Sequence, residues 1–239
     1  MSPLARLVWD SAFFGFPIAQ VTRPPADAGA LAVLERACRA EGIRCAYLRL
    51  PAEDAHAAEL ASGAGFVLRD VRLTFERDVC APVAAPNGSL PAVGRAKPEQ
   101  RGALEALARD AFAHTRFLVD PGFPRERARE LYAAFVRRGL DDAPRRLTLA
   151  DADATGVVVC HLDERGGVGT IELIAVAADE RRRGLGRALV ASALAAFAAA
   201  GLSRARVATQ AVNVPSQRLY QDAGFRTREA ELWLHRWFG

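Results

Sequence analysis

Two periodicities alternate along the chain. After Asp27, a helix-capping residue type, A-L-A-V-L-E-R-A-C-R-A places apolar residues on one helical face and stops at Gly42. C-A-Y-L-R-L reads as a strand, Ala52 to Ser62 as a second helix, and Gly65-Phe66 opens the long alternating strand F-V-L-R-D-V-R-L-T-F-E-R. Ahead of these, residues 4 to 21 give two short strand-like runs around the tight aromatic segment W-D-S-A-F-F-G-F-P. The stretch 81–96 is rich in Pro, Gly and Ala and reads as a linker. Beyond it the pattern predicts a helix from Pro98 to Ala113, a loop through R-F-L-V-D-P-G-F-P, and a helix from Arg125 to Arg138. Strands follow at Arg145–Ala150, Gly156–Leu162 and Gly169–Val176, then a helix to Ala200, the strand R-A-R-V-A-T-Q, a helix from Val214 to Ala223, and a final strand through Trp237.

The order of elements repeats. An offset of 159 residues carries Gly42 onto Gly201, Gly65-Phe66 onto Gly224-Phe225, and Leu48, Leu60 and Leu73 onto Val207, Leu219 and Leu232 without a gap. Two domains are therefore expected, at 1–88 and 93–239. The copies differ where chemistry is expected: Tyr220 falls on Ala61, and Gly184 and Gly186 fall on Pro25 and Asp27. The first copy should shape a site whose chemistry the second performs.

That chemistry centres on Val176 to Leu189, V-A-A-D-E-R-R-R-G-L-G-R-A-L, between an apolar strand and an alanine-rich amphipathic helix. A helix that begins here leaves its first amides unpaired at the positive end of its dipole, which suits an anion, a phosphate above all. Glycine at 184 and 186 lets backbone approach a ligand closely. Further on, Asn213 and Tyr220 stand seven residues apart, nearly two helical turns, and so share a face. Tyr220 can also be read as a partly buried tyrosine on an amphipathic helix.

Composition narrows the alternatives. Apolar residues make up 51% and charged residues 25%, and no run approaches the length of a membrane span. The first residues lack the pattern of a secretory signal, so a cytoplasmic location is expected. A net charge of +4 suggests nucleic acid, but Lys97 is the single lysine, the arginine clusters are scattered and alanine is abundant; the charge reads as base composition, and no nucleic-acid or membrane partner is expected. Cys38, Cys45, Cys80 and Cys160 have no C-x-x-C spacing and read as free thiols, with no metal site.

The succession from helix, helix and three strands to V-x-x-x-x-R-x-x-G-x-G (Val176 to Gly186) and N-x-x-S-x-x-x-Y (Asn213 to Tyr220) resembles the GCN5-related N-acetyltransferase (GNAT) superfamily over roughly residues 93–239. The resemblance implies an α/β GNAT fold with a mixed, mostly antiparallel central sheet, joined here to a smaller, degenerate GNAT-like N-terminal half-domain. It also implies acetyl-CoA as co-substrate. The pyrophosphate would lie on Arg181, Arg182, Arg183, Gly184, Leu185, Gly186 and Arg187, and the acyl chain along the backbone of Ile174, Ala175 and Val176 and beside Asn213 and Ser216. Tyr220 would protonate the departing thiolate. The base that takes the amine's proton is either Glu172 or a water relay; His114 and His161 are further candidates, each equally readable as structural.

Three segments, L-V-W-D-S-A-F-F-G-F, A-F-A-H-T-R-F and R-V-A-T-Q-A-V-N-V-P-S-Q-R-L-Y, look like the TDP-fucosamine acetyltransferase family, which acetylates the 4-amino group of a TDP-linked dideoxyhexose. On that resemblance Arg116 pairs with the diphosphate, His114 with sugar or phosphate, and Phe117 and Phe14 meet the sugar's apolar side. Without it they read as a solvated arginine beside core aromatics. Sequence leaves three rivals: another small amine as acceptor, a protein N-terminus, or a non-catalytic acyl-CoA-binding module. A homodimer is left open.

Overall fold

The computed structural model describes residues 2–81, 90–142 and 145–238. The N-terminal elements are β1 (Leu4–Arg6), α1 (Val8–Phe14), β2 (Ile18–Val21), α2 (Ala28–Ala40), β3 (Cys45–Pro51), α3 (Ala55–Gly63) and β4 (Val67–Asp78). Next come β5 (Gly94–Arg95), a 3-10 turn at Pro98–Gln100, α4 (Arg101–Ala111), α5 (Arg116–Val119), α6 (Arg125–Asp141), β6 (Arg146–Ala150), β7 (Gly156–Asp163) and β8 (Val168–Val176). A 3-10 turn at Ala178–Glu180 leads to α7 (Leu185–Ala199), β9 (Arg204–Gln210), α8 (Val214–Asp222) and β10 (Arg226–Trp237).

Three expectations need correction. The aromatic segment at 9–17 forms the short helix α1 rather than a turn, because Ser11 Oγ bonds back to the Leu7 carbonyl at 2.6 Å and its oxygen accepts from the Ile18 amide at 2.9 Å. Residues 116–119, expected as loop, make the single helical turn α5. The end of the expected linker is strand β5, paired with β6; its middle, 82–89, lies outside the described residues.

Among the described residues, ten strands form one sheet in the order β1-β2-β3-β10-β4-β9-β8-β7-β6-β5. Only β2–β3 and β8–β9 are parallel. Helices α2, α3, α7 and α8 cover one face, where Leu34, Leu48 and Leu234 make one core and Phe75, Leu189, Phe197 and Tyr220 another. Helices α1, α4, α5 and α6 cover the other, over Phe14, Tyr47, Phe117 and Trp233 and, further along, Leu104, Val136, Val159 and Leu173.

The internal repeat extends to the ends of the elements. The offset of 159 carries Cys45–Pro51 onto Arg204–Gln210, Ala55–Gly63 onto Val214–Asp222, and Val67–Asp78 onto Arg226–Trp237. Equivalent residues do equivalent work. Asp54 caps α3 by accepting from the Ala57 amide at 3.0 Å, and Asn213 caps α8 by accepting from the Ser216 amide at 3.3 Å. Each helix then closes on a left-handed glycine, Gly65 at φ +79° and Gly224 at φ +82°, with the next amide bonding back across the turn: Phe66 to Ala61 and Phe225 to Tyr220.

The strands that close the copies are exchanged. β10 lies between β3 and β4, and β4 lies between β10 and β9. In the β4–β10 ladder Arg72 pairs with Glu231, its own equivalent at the offset, so a pseudo-twofold axis crosses the sheet at that pair. The two flanking ladders obey the same axis: Pro51 pairs with Glu231 as Gln210 pairs with Arg72.

A buried ionic group locks the α5–α6 connection to β10. Asp120 accepts from the Gly122 amide at 3.0 Å and from Trp237 Nε1 at 3.1 Å, meets His235 Nδ1 at 2.6 Å, and lies 3.3 Å from Arg69 Nε. Burial pulls the His235 pKa down to about 4; the Asp120 bond opposes this, while the cations of Arg116 and Arg69 reinforce it. His235 is therefore neutral when folded and takes up a proton near pH 6.5 when unfolded. Stability from this group is present at neutral pH and lost as pH falls from about 6.5 towards 4, at a slope of about 1.4 kcal/mol per pH unit. Thermal unfolding of the protein and of His235→Gln between pH 7 and 4.5 should show the steep fall in the former and a flatter one in the variant.

Candidate active site

The parallel pairing of β8 with β9 ends at Ile171 and Val207, although the strands run on to Val176 and Gln210. Past that point they diverge, and a cleft of about 1130 Å³ passes through the gap from one face of the sheet to the other. A bulge accompanies the divergence: Val159 of β7 pairs with Leu173 and Cys160 with Ile171, leaving Glu172 as the extra residue.

On the α7–α8 face the cleft is lined by Arg181, Arg182, Gly184, Gly186 and Arg187. Arg182 at φ +64° and Gly184 at φ +90° turn the chain so that α7 starts with its amides facing the cleft mouth. Among the described residues the amides of 182–187 donate to no protein acceptor. A run of unpaired amides at the start of a 15-residue helix fits a pyrophosphate. Arg181 Nε holds the Val176 carbonyl at 3.2 Å, which ties the loop to the end of β8. Leu185 anchors the helix in the core, whereas Arg183 turns to Glu180 at 2.8 Å and does not line the cleft.

Further in, the wall is Ile174, Ala175 and Val176 on one side and Asn213, Ser216 and Tyr220 on the other. Asn213 is occupied within the chain: besides capping α8, its Nδ2 donates to Thr209 Oγ1 at 3.1 Å. Tyr220 is packed against Phe75 and Phe225 with 2% of its surface exposed, and burial pushes its phenol pKa up. The phenol is thus protonated at neutral pH, with the Ser216 side chain, also on the cleft wall, as its hydrogen-bonding neighbour.

On the opposite face the lining changes to Asp70, Arg72, Arg116, Tyr132, Phe135 and Trp233. The Arg116 guanidinium carbon lies 3.9 Å from the Trp233 ring centre, 4.3 Å from that of Phe117 and 4.5 Å from that of Tyr47. Its Nη1 is buried without a hydrogen-bond partner, and no carboxylate among the described residues forms an ion pair with it. Burial lowers the Arg116 pKa and pushes the Tyr132 phenol up to about 12. Glu172 lines the cleft near the bulge, but both its oxygens are held by Arg146, at 2.8 Å from Nε and 3.3 Å from Nη2. Arg146 is itself buried and also bonds Asp142.

Two of the candidates for the acceptor side lie elsewhere. Phe14 is buried among Phe16, Phe117 and Phe123, off the cleft, as the local-core reading allowed. His114 is exposed and does not line the cleft. Sequence reading missed Asp70, Arg72 and Thr74. Their alternation along β4 was visible, but a polar stripe on an alternating strand reads as the wet face of a sheet edge; it meets a cavity only because β4 sits between β9 and β10. Cys160 is buried and its thiol pKa is pushed up, so it offers no thiolate; among the described residues no cluster of His, Cys, Asp or Glu could hold a metal and no helix is long and apolar enough to cross a membrane.

A sheet splayed at a bulge, with unpaired amides on one side of the gap and a protonated phenol beside it, makes a groove suited to a phosphate-bearing ligand. Comparison with known proteins makes this specific: residues 103–225 match the model of the Acetyltransferase (GNAT) family, and the chain belongs to it. That family is one of acetyltransferases, which generally use acetyl-CoA as co-substrate. A GCN5-related N-acetyltransferase from Sphaerobacter thermophilus superposes with a TM-score of 0.66 at 15% identity, over 92% of this chain and 72% of that one. One from Kribbella flavida superposes at 0.65 and 18% identity, over 99% and 88%. Spore coat polysaccharide biosynthesis protein SpsD of Bacillus subtilis (strain 168) is 26% identical over 200 residues, which cover 81% of this chain and 66% of that relative.

A Cβ on Gly186 would approach nothing closer than Leu219 Cδ2 at 3.4 Å, an ordinary contact. Gly186→Ala should therefore fold and bind acetyl-CoA within a few-fold of the parent. Gly186→Asp sets a carboxylate among the cradle amides, and a like charge about 4 Å from a phosphate costs about 4 kcal/mol at an effective dielectric of 20. Calorimetry should show acetyl-CoA affinity reduced at least about 100-fold in that variant alone.

Proposed function

We propose that the protein transfers the acetyl group of acetyl-CoA directly to the 4-amino group of a TDP-linked 4-amino-4,6-dideoxyhexose. The observation that carries the reading is Arg116: a guanidinium stacked among three aromatic rings on the acceptor side of the cleft, with a buried, unpartnered Nη1. Asp10 and Asp70 stand near this desolvated cation, but neither forms an ion pair with it, so the guanidinium keeps donors for an anionic ligand group and matches phosphate geometry in two-point contact. Trp233 and Phe117 supply the apolar surface that a deoxygenated sugar ring offers in return. The similarity to a protein named for spore coat polysaccharide biosynthesis agrees with a sugar acceptor.

In this reading the free amides at 182–187 hold the pyrophosphate, and the open edges of β8 and β9 hold the acyl chain where the strands part. Tyr220 gives its proton to the thiolate as it leaves. The N-terminal copy, residues 1–88, has no counterpart of the cradle or of Tyr220 and serves the acceptor side instead, through β4 and Tyr47.

Turnover of acetyl-CoA should be measured against TDP- and UDP-linked amino sugars, free aminosugars and peptide N-termini; a preference for the TDP-linked 4-amino sugars supports the reading, and a preference for peptides defeats it. With the preferred sugar, Tyr220→Phe should lower kcat about 100-fold or more while leaving acetyl-CoA affinity intact. Arg116→Ala should raise KM for the sugar nucleotide and spare acetyl-CoA; equal losses for both would reduce Arg116 to a structural role.

A further inference from the structure

The cleft carries a carboxylate that neither the motifs nor the cofactor side accounts for. Asp70 lies on β4, opposite Trp233 in the β4–β10 ladder and two residues from Arg72, which pairs with Gln210 at the end of β9. It thus stands on the acceptor face beside the gap between β8 and β9, and it lines the cleft together with Arg116, Tyr132 and Trp233. Unlike Glu172, whose two oxygens are both taken by Arg146, Asp70 is in no ion pair among the described residues. The groups that face it are Arg116 from α5, Tyr132 from α6, Arg72 on its own strand and Gln210 from β9.

We propose that Asp70 is the catalytic base, receiving the acceptor's amino group at the acceptor mouth of the gap and taking its proton. The inference rests on the acetyl-transfer reading above and supplies the residue that reading lacks. An amine arriving as an ammonium gives one proton to Asp70, which passes it to solvent through the cleft. The nitrogen lone pair then forms the C–N bond at the thioester carbonyl carbon, and the C–S bond breaks. The sulfur takes the Tyr220 proton, and the phenol is restored by the second proton that the nitrogen sheds as it becomes an amide. One amide, one thiol and one released proton balance the step. Burial raises the Asp70 pKa, which suits a carboxylate meant to accept a proton, while the neighbouring Arg116 cation limits the rise. Glu172, held at two points by a buried guanidinium, would have to give up charge-assisted bonds to do the same work. It fits the role of positioning the bulge.

The test compares the parent with Asp70→Asn, Asp70→Glu and Glu172→Gln against a panel of TDP-4-amino-4,6-dideoxygalactose, glucosamine, spermidine and an α-amino acid amide. With whichever amine the parent acetylates, Asp70→Asn should lower kcat/KM at least about 100-fold and abolish its acid limb, leaving acetyl-CoA affinity by calorimetry and the thermal midpoint close to the parent's. Asp70→Glu should restore part of the rate and the limb. Asp70→Asn within about threefold of the parent, or an acid limb lost in Glu172→Gln instead, overturns the proposal. Acetylation of a panel amine other than the TDP-sugar, with the Asp70→Asn loss intact, refutes the sugar assignment and upholds Asp70. If Asp70→Asn unfolds, Asp70→Ser and Asp70→Glu carry the comparison, and normal rates in both overturn it.

Discussion

Everything about the site depends on the antiparallel ladder between β4 and β10. Each strand ends one copy of the repeat, and each is hydrogen-bonded on both edges by the other copy's elements, with Arg72 against Glu231 at the centre. The exchange joins two short sheets into one of ten strands and removes two of the four edges that would otherwise need covering. It also sets the chain's folding problem, because the ladders closing the sheet join residues as far apart as Cys45 and Trp237. Such a topology forms slowly, as non-local pairing must absorb loop-closure entropy before any contact repays it.

Once the sheet is closed, its two faces divide the work. The α7–α8 face carries unpaired amides, a glycine-shaped loop and a protonated phenol, groups that in the proposed reaction would hold phosphate and protonate a leaving thiolate. The opposite face carries a stacked guanidinium, aromatic rings and a half-buried carboxylate. The cleft joins the faces where β8 bulges at Glu172 and parts from β9. There the Arg146–Glu172 pair ties the extra residue of the bulge across to β6 through a partly buried, two-point ion pair.

Local signals made much of this readable in advance. Asp27 caps the helix after it as its residue type suggests, and the offset of 159 holds to the ends of three elements, whereas Asn213, read as an amide facing the groove, is taken up in capping α8 and bonding Thr209. The Arg181–Gly186 loop and Tyr220 were legible because their chemistry is written in contiguous residues. What was hidden arises from pairing across the chain. Asp70 and Arg72 have no local mark of function, since their burial comes from β10, and Arg146 reads as a surface arginine until β8 brings Glu172 to it. Phe14 shows the reverse error: an aromatic beside a motif was as well explained by the core, and its burial places it there.

The placement of β4 also bears on how such an enzyme changes. A strand from the copy without the cradle lines one side of the cleft, so on the proposed reading substitutions at positions such as Asp70, Arg72 and Thr74 would alter the acceptor side while the coenzyme groove, built from the other copy, stays intact. Within a single polypeptide the chain keeps one half free to diversify and the other bound to its task, and new acceptors become reachable without rebuilding the donor site.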